Sequence, residues 1–231
     1  MFKPMADKKN SNKKCRKKRV LVIERYPIIR EALTCLINKQ QDLIICGMPA
    51  PDTINMQCIK EHSPDILLAG LSVREIASLK QIKDINAKIP PLPILIFSML
   101  EGPIYAARAF DAGAKGYIMK HELVENILKA VRAVLEGKVY VSEAIAAQLL
   151  GSLAAGRQIH GKHKKEVLTN QELSVFTMIG YGMTTRIIAE KLCLSVKTIE
   201  TYRARIKEKL GLKNAVELVY TAVQWVVEGS H

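Results

Sequence analysis

No apolar run in this 231-residue chain approaches the ~20 residues that a membrane-spanning helix needs. The longest, Val20-Leu-Val-Ile23, Ile66–Leu71 and Ile94–Phe97, are strand-sized. Lysines and arginines near the N-terminus are followed by no apolar segment of signal-peptide length, so a soluble, cytoplasmic protein without membrane contact is expected. Cysteine is sparse and odd in number: the five, at 15, 35, 46, 58 and 193, form no CxxC pair. Reduced thiols follow, and neither a disulfide framework nor a zinc site does. Cys35, Cys46 and Cys193 stand in apolar runs and are expected as buried small hydrophobes. The turn Arg25-Tyr-Pro-Ile-Ile lacks the glycines of a dinucleotide site, and no P-loop is present. His62, His121, His160, His163 and His231 show no metal or nucleophile spacing. These absences argue against an enzyme, and no metal or cofactor is expected. Wholesale disorder is excluded by 48% hydrophobic and 25% charged residues.

The net charge of +13 points to nucleic acid until its distribution is examined. Residues 1–19 carry nine Lys/Arg against one acid, whereas residues 20–151 carry fourteen of each sign. Residues 152–167 carry four bases and one acid, and residues 168–231 eight bases and six acids. The excess therefore lies in a basic N-terminal tail and a linker. Such a tail raises non-specific affinity for polyanions without specifying one.

From Arg19 onward short apolar runs alternate with amphipathic stretches. The strands expected are 19–24, 43–46, 65–69, 93–97 and 116–119, with helices at 28–38, 52–61, 75–87, 103–112 and 122–136. In the last helix Leu123, Ile127, Ala130, Val131 and Val134 recur at the spacing of one buried face. Five βα units with nearly continuous apolar strands predict an α/β domain, a doubly wound five-stranded parallel sheet covered on both sides. Val139-Tyr-Val141 and Ile145–Leu150 follow as an appendix, and 151–167, with three glycines among His and Lys, reads as a tether.

All nine prolines precede residue 104, so the remainder is free to be helical. Thr169 and Glu172 form a capping-box signature for a helix ending near Gly180. A second helix spans 184–192, and Ser195 caps a third, whose Ile199, Tyr202, Ile206 and Leu210 face a core until Gly211 ends it. A fourth covers 214–227. The second and third helices, joined by a tight turn, make a helix-turn-helix. On the third, Lys197, Thr198, Glu200, Thr201, Ala204, Arg205 and Glu208 lie away from the core stripe. Lys197, Arg203, Arg205, Lys207 and Lys209 could reach phosphates, which position such a module, while base edges specify sequence.

The series Leu168-Thr-x-x-Glu172, Ile187-Ile-Ala-Glu-Lys-Leu192, Leu194-Ser-Val-Lys-Thr-Ile-Glu-Thr-Tyr-Arg203 and Lys209-Leu-Gly-Leu212 resembles the LuxR-type helix-turn-helix almost end to end. The resemblance implies double-stranded DNA as partner. It makes Lys197, Thr198, Glu200, Thr201 and Arg205 recognition residues, and assigns a homodimer contact to the face bearing Val216, Val219 and Val223. The first domain is similar to a CheY-like receiver of the NarL/FixJ class. The match runs through Val20-Leu-Val-Ile-Glu-Arg-Tyr-Pro-Ile-Ile-Arg30, Pro64-Asp-Ile-Leu-Leu68 and Ala112-Gly-Ala-Lys-Gly-Tyr-Ile-Met-Lys120. The organisation expected is a basic tail (1–18), a receiver-like domain (19–138), a short helix and linker (139–167) and the helix-turn-helix domain (168–228).

Against the receiver pattern the departures are chemical. The phosphoryl-accepting aspartate is replaced by Gly70, and the metal-binding acid pair reads Glu24-Arg25. Ser98, Tyr117 and Lys120 are retained. Mg²⁺ requires an oxygen shell that includes carboxylates; one carboxylate among cations predicts instead that Glu24 pairs with Lys120 or Arg25. Asp65 cannot substitute, because five residues of strand place it about 16 Å from Gly70. The expectation is a DNA-binding regulator of response-regulator type whose receiver works without phosphorylation. The alternatives are a protein-interaction scaffold, or a regulator taking an unknown protein or small-molecule input through the receiver pocket.

Overall fold

The computed structural model describes residues 16–49, 56–72, 76, 79–154 and 168–228. Its first half alternates strand and helix: β1 (Lys18–Ile23), α1 (Pro27–Asn38), β2 (Leu43–Gly47), α2 (Met56–His62), β3 (Ile66–Leu71), α3 (Leu79–Lys88), β4 (Ile94–Ser98), α4 (Pro103–Asp111), β5 (Gly116–Met119) and α5 (Val124–Leu135). Next come β6 (Tyr140–Val141) and α6 (Glu143–Ala154). The helical part comprises α7 (Asn170–Gly180), α8 (Thr185–Leu192), α9 (Val196–Leu210) and α10 (Ala215–Glu228).

The sheet is parallel, in the order β2-β1-β3-β4-β5-β6. It therefore has six strands, not the five expected. Tyr140 donates its N–H to Lys115 O at 3.1 Å, so the segment read as an appendix covers the open edge of β5. A two-residue strand carries too little periodic signal to be read from sequence.

One face of the sheet, with Val20, Val22, Leu68, Leu95 and Ile118, packs under α1 and α5. The other, with Leu21, Leu67, Ile94, Ile96 and Tyr117, packs under α2, α3 and α4, and its apolar cluster runs on into the helical part through Leu173, Phe176 and Ile206. Strands buried on both faces account for the continuous apolar runs.

Several expectations need correction. Leu123 is the N-cap of α5 and 73% exposed, outside the buried face that Ile127, Ala130, Val131 and Val134 do form. Cys35 and Cys193 are exposed and Cys46 is half-buried. Cys35 lies on α1 between the buried Leu33 and Ile37, pointing outward. Cys46 falls where the β1–β2 register shifts, a bulge that lifts it from regular pairing. Cys193 holds the left-handed C-cap of α8. The helix α6 continues past Gly151 to Ala154, and the remainder of the expected tether, like residues 1–15 of the basic tail and 52–55 of the second helix, lies outside the described residues.

Candidate nucleic-acid interface and receiver pocket

Each helix of the C-terminal part is locally encoded. Thr169 and Glu172 make a reciprocal capping box: Glu172 N–H donates to Thr169 Oγ1 (3.3 Å), and Thr169 N–H to Glu172 Oε2 (2.8 Å). The same Oε2 accepts from Lys209 Nζ at 2.6 Å, which ties the start of α7 to the end of α9. Thr184 caps α8, and Ser195 Oγ accepts the Thr198 N–H at 3.0 Å to open α9. Between them Cys193 takes φ 55°, and the Leu194 N–H returns to Ala189 O at 2.9 Å. The turn is thereby closed with a residue other than glycine in the left-handed region.

Burial pushes the Glu172 carboxyl up. Lys209 and the Thr169 hydrogen bonds act against it, and the result lies below its ordinary value of 4.5. A depressed carboxyl contributes stability that is fully present above the unfolded value and is lost as pH falls through the lower folded one. We expect Glu172→Gln to cost about 1–3 kcal/mol near neutral pH. It should also flatten the loss of stability below pH 4.5, a slope read from urea midpoints of the helical part. Equal acid sensitivity in the variant would place that loss elsewhere.

On α9, Ile199, Ile206 and Leu210 are buried and Tyr202 half-buried. Lys197, Glu200, Thr201, Ala204, Arg205 and Glu208 are all exposed and form one stripe at three- and four-residue intervals. Thr198, Arg203 and Lys207 are half-buried on its flanks. Thr201 Oγ1 donates back to Lys197 O at 3.0 Å, Thr198 Oγ1 lies 2.8 Å from Ser195 Oγ, and Lys209 is held by Glu172. On α10, Leu218 and Ala222 face inward, while Val216, Val219 and Val223 are exposed. Tyr220 and Val227 extend this apolar stripe, and the sequence reading did not name them.

At the carboxyl ends of the strands the structure brings Glu24, Gly70 and Lys120 together, with Arg25 next in sequence, and joins Ser98 and Tyr117 at Leu100. Glu24 is 1% exposed, and its Oε2 accepts from Lys120 Nζ at 2.6 Å. Its Oε1 accepts the Tyr26 N–H at 2.9 Å. The Lys120 ammonium also lies over the rings of Tyr26 and Phe97, at 5.4 and 5.5 Å. Arg25 is half-buried beside them. Gly70 sits against this pair. A Cβ there would collide with Glu24 Oε2 and come within 2.9 Å of Ile23 O.

Ser98 and Tyr117 both act on Leu100. Ser98 Oγ accepts the Leu100 N–H (2.9 Å), and the Tyr117 hydroxyl donates to Leu100 O (2.6 Å). Burial pushes the Tyr117 phenol well up, so it stays a donor. The resemblance implies Mg²⁺ in such a pocket, but the donor set does not fit it. Both oxygens of Glu24 are already used, one by a cation, and among the described residues no group of three or more His, Cys, Asp or Glu could hold a metal. Asp65 lies just before β3, at the opposite end from Gly70, where it accepts the Arg19 N–H at 2.8 Å.

Residues 20–132 match the family model for the response regulator receiver domain, and residues 166–222 that for bacterial regulatory proteins of the luxR family. The oxygen regulatory protein NreC of Staphylococcus haemolyticus is 31% identical over 215 residues, spanning 89% of this chain and 97% of NreC. The uncharacterized transcriptional regulatory protein YxjL of Bacillus subtilis is 28% identical over 207 residues, with 89% and 95% covered. Among solved structures, RcsB of Salmonella enterica serovar Typhimurium, bound to a promoter with a phosphomimetic, aligns with a TM-score of 0.59 at 21% identity, covering 90% of this chain and 98% of RcsB. That likeness concerns the fold.

Proposed function

Because the chain belongs to the response regulators that join a receiver to a LuxR-family DNA-binding domain, we propose that it regulates transcription as a dimer whose receiver neither needs nor accepts a phosphoryl group. The observation that carries this reading is the contact at Gly70: the acceptor position has no side chain and no room for one. The Glu24–Lys120 pair fills the space in which a metal and an acyl phosphate would form.

DNA is read by the exposed stripe of α9. Lys197, Thr198, Glu200, Thr201 and Arg205 supply the base-facing set, and Arg203 and Lys207 on the flanks supply phosphate contacts. Lys209 serves the domain structurally through Glu172. Val216, Val219 and Val223, with Tyr220 and Val227, form the face that pairs two copies. On this reading the receiver, expected at 19–138, runs on through its sixth strand to 141, and the DNA-binding domain spans 168–228.

Three experiments test the proposal. Acetyl phosphate or beryllofluoride with Mg²⁺ should leave sedimentation and DNA affinity unaltered; a shift in either would show a working pocket. Against a duplex selected from a random pool, Thr201→Ala or Arg205→Ala should lose about 1–3 kcal/mol if the side chain touches a base edge. Unchanged affinity and sequence preference would remove it from the contact set. Affinity should also fall steeply with added salt, through counterion release.

A further inference from the structure

Beyond Gln171, which is exposed, α7 turns almost nothing to water. Glu172 through Ile179 are all buried, although a helix at the surface of a small domain ordinarily keeps a polar side in solvent. Glu172, Phe176 and Gly180 face α9 and α10: Glu172 binds Lys209, Phe176 lies 6.5 Å from the Trp225 ring, and Gly180 abuts the Ala222 carbonyl. Asn170, Ser174, Thr177 and Tyr181, spaced i, i+4, i+7 and i+11, form a different side. They are uncharged and polar, the composition of a solvent face.

Here Asn170 and Thr177 of that side are bonded by α4 of the receiver, while Tyr181 at its end is exposed. Arg108 forks onto the start of α7, with Nη1 donating to Asn170 Oδ1 and Nη2 to Leu168 O, both at 2.7 Å. The buried Tyr105 hydroxyl lies 3.0 Å from Thr177 Oγ1 and accepts the Trp225 indole N–H at 3.0 Å. An indole can only donate, so the Tyr105 oxygen accepts from Trp225, and it shares a further hydrogen bond with the Thr177 hydroxyl. The two rings meet edge to face, with centroids 6.2 Å apart. In this same docked body the α9 stripe and the outer stripe of α10 remain exposed.

We propose that α4 is a permanent packing wall of the helical part, so that DNA is met by the docked two-part body and not by a helical unit released from the receiver. The second half of this statement rests on the DNA reading above; the first does not. Docking of this kind gives the receiver a function that needs no phosphate: it completes the core of its neighbour and fixes the direction in which α9 points.

The chain contains a single tryptophan, Trp225, so its emission reports the surroundings it shares with Tyr105 and Phe176. In the full chain without DNA, a Tyr105→Phe/Arg108→Ala double variant should emit at longer wavelength. Its α7 amides should exchange about tenfold faster or more, while β1 and β4 keep their protection. Unchanged emission and exchange would overturn the packing wall. A labelled duplex of mixed sequence is then titrated at low salt, with label anisotropy reporting binding. Trp225 emission that stays at its docked position on binding supports the proposal, and a move toward that of the double variant overturns it. If the label shows no binding, the DNA reading falls together with the second half, and the first arm alone decides the first half.

Discussion

Lys120→Met is expected to destabilise the receiver by about 3–5 kcal/mol, because it takes the bonded ammonium away from the buried Glu24 carboxylate. The Glu24 side chain is almost wholly enclosed, and beyond Lys120 its bonded partner is the Tyr26 N–H. Methionine fills most of the lysine stem, so the loss is electrostatic and not a cavity. Urea denaturation should show an earlier midpoint at unchanged slope. Removing both charges, Glu24→Gln with Lys120→Met, should recover most of the loss, since well-packed neutral replacements of a buried pair are often nearly neutral. A double variant as unstable as the single one would mean that the pair contributes through packing and not through charge.

The second large effect is expected at Gly70. Gly70→Ala should cost about 1–3 kcal/mol, the range for overpacking a filled site. The added methyl meets Glu24 Oε2 and approaches Ile23 O within 2.9 Å, and of these only the glutamate can move. Gly70→Asp should cost more, as it sets a second carboxylate against the first with one ammonium between them. Installing the missing aspartate is therefore expected to yield a destabilised receiver that takes up no phosphoryl group from acetyl phosphate. Moving the carboxylate instead of adding one, Gly70→Asp with Glu24→Ser, should restore stability by keeping Lys120 paired. Phosphate incorporation into Gly70→Asp alone, by intact-protein mass, would show that Glu24 yields its place easily.

The sheet was legible where its chemistry is continuous. Strands buried on both faces must be apolar throughout, so β1, β3 and β4 stand out in the sequence. The pair at 140–141 does not, because its pairing is decided by the free edge of β5 and not by its own composition. The caps Thr169 and Ser195 were visible because a hydroxyl followed by a helical pattern has a local role, whereas Thr184, read as the first helical residue, caps α8. The Glu24–Lys120 bond was anticipated as one of two pairings, and distance selects Lys120.

The hidden parts are those in which two distant segments supply one surface. Asn170, Ser174 and Thr177 read as a solvent face, and nothing near them in sequence announces that Tyr105 and Arg108 will cover it. Cys193 misled for a similar reason. An apolar neighbourhood suggested burial, whereas backbone geometry at the end of α8 put the thiol outside. Tyr220 and Val227 fall at helical spacing from the predicted valines, and that periodicity could have found them.

The close approach at Gly180 bears on how an assembled pair of molecules would transmit force. With its Cα seated on the Ala222 carbonyl and 2.6 Å between an added Cβ and Val226 Cγ2, α7 cannot slide along α10 without backbone collision. The two helices therefore turn together, as a crank and its shaft. In the proposed dimer, a reorientation of one copy against the other at the outer stripe of α10 would be handed on through α7 and the Glu172–Lys209 bond to the far end of α9. The angle between two reading heads on a duplex, and hence the spacing of half-sites they can engage, would be set by how α10 meets its counterpart.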